Sequence, residues 1–220
     1  MTDAPAPADE GHASCARCHK PLELCVCAAI AEHKSRLSVL VLRHPQEKDR
    51  VLGTAGMIEL QIPGSRIATG LSWRNLDAAL GKHAEPQEWG VLFQGPKTDR
   101  PERGAGAVIA VSRKGQALPD QRAALGGLRG IIVLDGNWSQ AKTLWWRNPW
   151  LLKCRRLVLN PARPSAYGNL RREPRRDSLS TLEAVALALS AAERDEGLFE
   201  RLTAPLRLLV EKARAAGVKA

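Results

Sequence analysis

Residues 131–141 read IIVLDGNWSQA, and this stretch decides the fold. Four apolar residues, three of them β-branched, predict a short buried strand that ends at Asp135. Gly136 allows a tight turn, and Asn137 followed three residues later by Gln140 has the spacing of a capping box, so a helix is predicted to begin here. A strand that leads directly into a helix indicates an α/β domain with a largely parallel sheet.

The remaining chain repeats this alternation. Further strands are predicted at residues 37–42, 67–70, 91–93, 108–111 and 156–159, and helices at residues 73–80, 137–147, 180–194 and 198–216. Ligands of such sheets bind outside the carboxyl ends of the strands. We therefore expect four loops to gather at one edge of the sheet: residues 44–47, 93–96, 135–138 and 179–183.

The composition favours a water-soluble domain. The chain has 220 residues, of which 44% are apolar, enough to bury a sizeable core. No run approaches the roughly 18 apolar residues of a membrane span, and the first residues lack the basic start and apolar stretch of a signal peptide. We interpret residues 1–12, which are rich in Ala, Pro and acidic side chains, as a disordered lead, and we predict a cytoplasmic protein without membrane attachment.

The charge favours a polyanionic partner. The net charge is +10 and the isoelectric point is about 9.8. Residues 147–176 carry nine Lys or Arg and a single acidic residue, Glu173. A charge run alone is typical of a solvated face, but the whole chain is basic as well, which favours nucleic acid.

Four of the five cysteines fall within thirteen residues, as Cys15, Cys18, Cys25 and Cys27. Four thiolates in one short loop can close a tetrahedral zinc site without an open position, which predicts a structural Zn²⁺ held by residues 13–34. Buried or redox-active thiols are the alternative, and His19 could replace a weak ligand. We expect the segment to present Arg17, His19 and Lys20 to RNA. Cys154 stands alone and is interpreted as a core residue.

Several further residues allow two interpretations. Asp135 is either a site carboxylate or a turn former, and His44, in the sequence HPQE, is either a base or a structural histidine. Residues 179–184, LSTLEA, are predicted to start a helix with a capping box, and this structural role alone would explain the motif. Three tryptophans, Trp145, Trp146 and Trp150, are more typical of a core or an interface than of a stacking platform.

Taken in order, these motifs resemble a known family. The set comprises Cys-x-Arg-Cys with a following Cys-x-Cys, then His-Pro-x-Glu, Asp-x-x-Trp-x-Gln-Ala and Ser-Thr-Leu-Glu-Ala, across residues 15–210. The chain resembles the DTW-domain proteins, which are tRNA-uridine aminocarboxypropyltransferases. It departs from the family pattern at Gly53-Thr54, where an Asn-Thr pair is usual, and at residues 93–96, where an aromatic-Pro turn is usual.

The resemblance implies a SPOUT-like, knotted α/β domain at residues 35–220 that binds S-adenosylmethionine in its knot loops. Asp135 would be the general base and Trp138 would wall the methionine arm. The implied S-adenosylmethionine contacts are Thr54, Leu92, Phe93, Gln94, Gly95, Leu134, Asp135, Gly136, Trp138, Leu179, Ser180 and Thr181. The implied reaction transfers the 3-amino-3-carboxypropyl group to N3 of a tRNA uridine and releases 5′-methylthioadenosine. For a bacterial chain, the uridine would be at position 47 of the tRNA variable region.

The RNA partner is expected to contact basic side chains. The predicted phosphate contacts are Arg155, Arg156, Arg171, Arg172, Arg175 and Arg176, whereas Tyr167 would either stack on a base or pack in the core. We expect a monomer. Three alternatives remain at this point: a SPOUT-like RNA methyltransferase, an rRNA aminocarboxypropyltransferase, and a non-catalytic zinc-containing RNA-binding protein.

Overall fold

A computed structural model describes residues 13–48, 50–93, 106–170 and 179–218. Across these ranges one six-stranded sheet runs through the molecule in the order β2-β1-β5-β3-β6-β4. The strands are β1 Ser38–Arg43, β2 Arg66–Thr69, β3 Trp89–Phe93, β4 Val108–Val111, β5 Gly130–Asp135 and β6 Arg155–Leu159. All neighbours pair in parallel except β4, an edge strand that runs antiparallel to β6. The predicted α/β class is confirmed.

Helices cover both faces of the sheet because its central strands are apolar on both sides. The helices are α1 Ala55–Gln61, α2 Leu76–Leu80, α3 Gln121–Gly126, α4 Trp138–Arg147, α5 Thr181–Glu193 and α6 Leu198–Ala215. Val39 and Val41 of β1 face a core shared with α1, α5 and α6. Leu40 and Leu42 face the opposite core, which includes α2, Trp150 and part of α4.

Two short helices were not predicted, and one predicted helix is shorter than expected. Neither α1 nor α3 has enough turns to display a helical repeat of apolar residues in the sequence. The helix predicted at residues 73–80 begins only at Leu76, because Asn75 caps it by accepting a hydrogen bond from the Ala78 amide at 2.9 Å. It ends as predicted at Gly81, whose φ of 76° suits glycine.

Some predictions lie outside the described residues. These are the disordered lead at residues 1–12 and part of the implied knot, because Gln94 and Gly95 of its first loop, residues 92–95, are not described. In the described part of the chain, no helix is both long and apolar enough to cross a membrane.

Candidate active site and metal centre

The predicted loops after β1 and β5 start side by side at the carboxyl edge of the sheet. Arg43, the last residue of β1, pairs in register with Asp135, the last residue of β5. The pairing continues one residue further, because the His44 amide donates to the Asp135 carbonyl oxygen at 2.9 Å. Both loops therefore leave the sheet from one point.

Asp135 is buried at this edge, with 9% of its surface exposed. Its carboxylate Oδ1 accepts a hydrogen bond from the Thr181 hydroxyl at 2.5 Å. Thr181 is the first residue of α5, so the loop before α5 joins the same site, as predicted. The bond fixes the orientation of a carboxylate at the end of a central strand, where an α/β sheet binds its ligands.

The turn after Asp135 is held by a network of amide groups. Asn137 caps α4 by accepting from the Gln140 amide at 3.1 Å, and the Gln140 side chain accepts in return from the Asn137 amide at 2.6 Å. The Gln140 amide group also donates to Gln46 at 3.1 Å, which ties α4 to the loop after β1. Gly136 is required here for space, since a Cβ would lie 2.7 Å from Gln140 Cβ.

Thr54 connects α5 to the loop before α1. It is buried, and its hydroxyl oxygen accepts from the Leu182 amide in the first turn of α5 at 3.3 Å. The structure therefore brings Thr54 and Thr181, which were predicted to contact the same ligand, to the same helix start. Their predicted roles in ligand binding stay predictions.

The start of α5 is anchored through a buried carboxylate. Ser180 and Glu183 form the predicted capping box, in which Glu183 accepts from the Ser180 amide at 2.8 Å. Glu183 also accepts from the Ser165 hydroxyl at 2.6 Å and the Ala166 amide at 2.7 Å. These bonds connect α5 to the segment after β6, a link that the sequence reasoning missed because a capping box alone explained Glu183.

The other predicted contacts vary in exposure. Trp138 begins α4 with 43% of its surface exposed, whereas Leu92 in β3 is buried. Leu134, Gly136 and Leu179 are partly buried. Phe93 ends β3, and Gln94 and Gly95 lie outside the described residues. Their predicted roles, like those of Asp135 and Trp138, stay predictions.

The four N-terminal cysteines converge as a metal site requires. Their sulfur atoms all lie within 4.8 Å of one another, and His19 does not belong to the group. Cys15 and Cys27 are 3.6 Å apart, and Cys18 and Cys25 are 3.8 Å apart. Zinc–sulfur bonds of about 2.3 Å at tetrahedral angles place two sulfur atoms about 3.8 Å apart. The donor set and spacing therefore fit a closed zinc site.

Local interactions also favour ionisation of part of this cluster. The backbone amides of Cys18 and Arg17 lower the pKa of Cys15 to about 6, whereas desolvation raises the pKa of Cys27 to about 12. The cluster thus offers a thiolate near neutral pH, which is the form that binds a metal. Cys154 lies in the core as predicted, and burial raises its pKa to about 12.

The prediction that Lys20 is presented to RNA is wrong. Lys20 is only 6% exposed, and its ammonium donates to the carbonyl oxygens of Val51 at 2.7 Å and Gly53 at 2.9 Å. Burial lowers its pKa to about 8. Lysine is rarely buried, so the sequence carried no signal for this role. The bond joins the cysteine segment to the loop that ends at Thr54.

The arginines predicted to contact RNA fall into two groups. Arg155 donates to the carbonyl oxygens of Gln87 at 2.9 Å and Ala124 at 2.8 Å, so it already joins α3 to the turn before β3. Arg156 donates to the Arg113 carbonyl and lies 5.7 Å from the centre of the Trp145 ring. The remaining four, Arg171, Arg172, Arg175 and Arg176, lie outside the described residues.

Tyr167 has a packing role, one of its two predicted alternatives. It is 1% exposed, and its hydroxyl donates to the carbonyl oxygen of Leu52. Lys20 binds the carbonyl oxygens of the residues on either side, Val51 and Gly53, so this loop is fixed from two sides.

Comparison with known proteins places these features in a family context. The DTW domain family matches residues 12–214. Proteins named tRNA-uridine aminocarboxypropyltransferase 2 are similar to 89–91% of the chain: those of Macaca fascicularis and Mus musculus are each 27% identical, and that of Drosophila melanogaster is 29% identical. The chain spans 61% of the macaque protein, 63% of the mouse protein and 72% of the fly protein. No solved structure matches significantly.

Proposed function

The chain belongs to the DTW domain family, and from that premise we propose that it transfers the 3-amino-3-carboxypropyl group of S-adenosylmethionine to N3 of a uridine in tRNA. Three relatives are named for aminocarboxypropyl transfer to tRNA uridine. The observation that carries the proposal is the buried Asp135 carboxylate, oriented by Thr181 where the loops after β1 and β5 and the start of α5 meet.

The sulfonium of S-adenosylmethionine makes each attached carbon electrophilic. Transfer of the amino-acid arm breaks the bond from sulfur to Cγ, forms the bond from Cγ to uridine N3 and releases 5′-methylthioadenosine. The proton on N3 must leave, and Asp135 accepts it as the general base. Thr181 holds the carboxylate in one orientation while this happens.

The surrounding residues suit two of the charges of the donor molecule, its sulfonium and its carboxylate. The Asp135 carboxylate favours a sulfonium nearby, whereas the start of α5 carries the positive end of the helix dipole and favours the carboxylate of the methionine arm. Thr54 and Ser180 lie at that helix start. Trp138 supplies an apolar wall. Selection of Cγ over the methyl carbon is then a matter of which carbon faces the uridine.

Mass spectrometry of the nucleoside product tests the proposal. The purified protein is incubated with unmodified tRNA and S-adenosylmethionine, and the tRNA is digested to nucleosides. We expect uridine carrying the aminocarboxypropyl arm, together with an equal amount of 5′-methylthioadenosine. A methylated nucleoside would instead indicate the methyltransferase alternative, and the absence of affinity for S-adenosylmethionine would indicate a non-catalytic RNA-binding protein. Transfer to rRNA in preference to tRNA would correct the substrate.

Substitution of Asp135 tests the base. Asp135→Asn keeps the shape of the side chain and removes its basicity, so we expect S-adenosylmethionine to bind normally in calorimetry while turnover falls about 100-fold or more. Asp120→Asn is the matched control: Asp120 caps α3 at an exposed position, and Asn caps equally well. Near-normal turnover of Asp135→Asn would show that another group takes the proton.

A further inference from the structure

One side of α4 exposes a series of large side chains to solvent. Trp138, Lys142 and Trp146 follow one another at four-residue spacing, so each is the neighbour of the next on the helix surface. All three are exposed, and Trp146 is 71% exposed, whereas Gln140 and Leu144 face inward and are buried. The helix is therefore packed on one side and carries aromatic and basic groups on the other.

The exposure of Trp146 has no explanation in the packing of the described chain. An indole has a large apolar surface, and its exposure to water is costly. An exposed tryptophan therefore indicates a binding surface more strongly than a single exposed aliphatic side chain does. The adjacent Trp145 packs against the core that contains Trp150, so the core already has its aromatic residues on this side. Trp146 thus presents a flat apolar face that the described residues leave exposed.

The charges on α4 and on the residues that follow it have one sign. Residues 136–172 contain no Asp or Glu. Lys142 lies between the two exposed tryptophans, and Arg147 follows Trp146 with its side chain exposed. Flat aromatic rings interleaved with basic groups are the features by which proteins bind unpaired nucleotides: the rings stack on bases and the cations neutralise phosphates.

We propose that the exposed side of α4 binds a single-stranded part of the substrate RNA, with an unpaired base stacked on Trp146 and adjacent phosphates at Lys142 and Arg147. This inference rests on the proposed function. α4 begins three residues after Asp135, and its rise of about 1.5 Å per residue places Trp146 about 12 Å beyond Trp138 along the axis. The stacked base therefore belongs to a nucleotide near the target uridine and not to the target itself.

RNA fits this surface better than a second copy of the chain. A twofold contact between copies would place this basic side of α4 against the same basic side of the partner, and residues 136–172 supply no acidic residue to pair with Lys142 or Arg147. Each copy also carries a net charge of +10. A polyanion has the complementary charge and supplies rings to stack on the indole.

The test separates stacking from charge. Direct binding of unmodified tRNA is measured by fluorescence anisotropy at several salt concentrations for the full chain and three variants. Trp146→Ala should raise the Kd about 5- to 30-fold without changing its salt dependence, and Trp146→Phe should recover part of the loss because it keeps an aromatic face. Lys142→Gln should reduce the salt slope by about one unit. Binding of S-adenosylmethionine should be unchanged in all three.

Lys82→Gln is the matched control for charge, because Lys82 is an exposed lysine outside α4, next to Gly81 at the end of α2. It should leave the salt slope unaltered. Equal tRNA affinity of Trp146→Ala and the unchanged chain would overturn the inference. It would also be overturned if sedimentation showed a dimer that Trp146→Ala dissociates without loss of RNA affinity. The tRNA-binding measurement does not depend on turnover. If the transfer reaction fails, the binding of RNA to α4 can therefore still be confirmed or rejected.

Discussion

At the scale of single residues, the geometry of Asp135 depends on its neighbour Gly136, which has no side chain. The strand turns directly into α4 at Gly136, and Gln140 occupies the space where a Cβ would lie. Gln140 is itself fixed by Asn137 and Gln46. The carboxylate is thus oriented by Thr181 from one side and supported from the other by a turn that tolerates only glycine.

Gly136→Ala should therefore destabilise the fold and impair the site. The new methyl group would meet Gln140 Cβ at 2.7 Å, and overpacking of this kind costs about 1–3 kcal/mol. For a chain of this length we expect the melting temperature to fall by roughly 2–10 °C, measured by calorimetry. Gly56→Ala is the control, since nothing lies within 4 Å of its Cβ position and alanine favours helix α1. Equal melting temperatures for Gly136→Ala and the unchanged chain would contradict this account.

The residue scale also shows what the sequence could not predict. Asp135 and Thr181 were expected at one site because a strand end and a helix start indicated them, and Thr54 was expected there because the family resemblance implied it; the structure brings the three together. The burial of Lys20 could not be foreseen, because its partners are carbonyl oxygens more than thirty residues away. Every residue has a backbone carbonyl oxygen, so the sequence does not indicate which of them will bind a lysine.

At the scale of elements, α5 is positioned by its first turn. Its capping box gives partners to two amides at the helix start, those of Ser180 and Glu183. The same Glu183 accepts from Ser165 and Ala166, so the register of α5 is set against the segment after β6. Because Thr181 occupies the first position of α5, any displacement of this turn moves the hydroxyl that holds Asp135.

Glu183→Gln should consequently weaken both stability and transfer. The carboxylate accepts three hydrogen bonds, and an amide can accept only through its oxygen, which leaves a buried donor without a partner at a cost of about 1–3 kcal/mol. We expect a lower urea midpoint and reduced turnover. Glu211→Gln, on the exposed surface of α6, is the control and should match the unchanged chain. Equal urea midpoints for Glu183→Gln and Glu211→Gln would show that the hydrogen bonds of Glu183 do not contribute to the stability of the fold.

Strands and helices were predictable where an apolar run was long or where a capping box marked the start of a helix. All six strands of the described sheet were located within two residues, and α4 and α5 begin at the predicted caps. Helices α1 and α3 were missed since they have seven and six residues. The strand order was not predictable, because pairing of β5 between β1 and β3 is a long-range choice that local periodicity does not encode.

At the scale of the whole molecule, the cysteine segment is joined to the rest of the fold from two directions. Lys20 binds the loop that leads to Thr54, and Lys212 of α6 donates to the Cys25 carbonyl oxygen at 2.7 Å. Leu24 and Val26, within the segment, are buried in the core shared with α5 and α6. A metal that orders this segment would therefore also hold the loop beside the candidate active site.

Metal removal should reveal this connection. We expect one zinc ion per chain by elemental analysis, and chelation should lower the melting temperature by about 5 °C or more because metal binding stabilises the folded state. Affinity for S-adenosylmethionine should fall as the anchoring of residues 51–54 loosens.

Four thiols should become reactive on chelation, whereas Cys154 should react only after unfolding, since burial raises its pKa to about 12 and the thiolate is the reactive form. Cys154→Ser is the control and should keep its metal. A chain that contains no metal, or that keeps its melting temperature and cofactor affinity without it, would show that the segment folds on its packing alone.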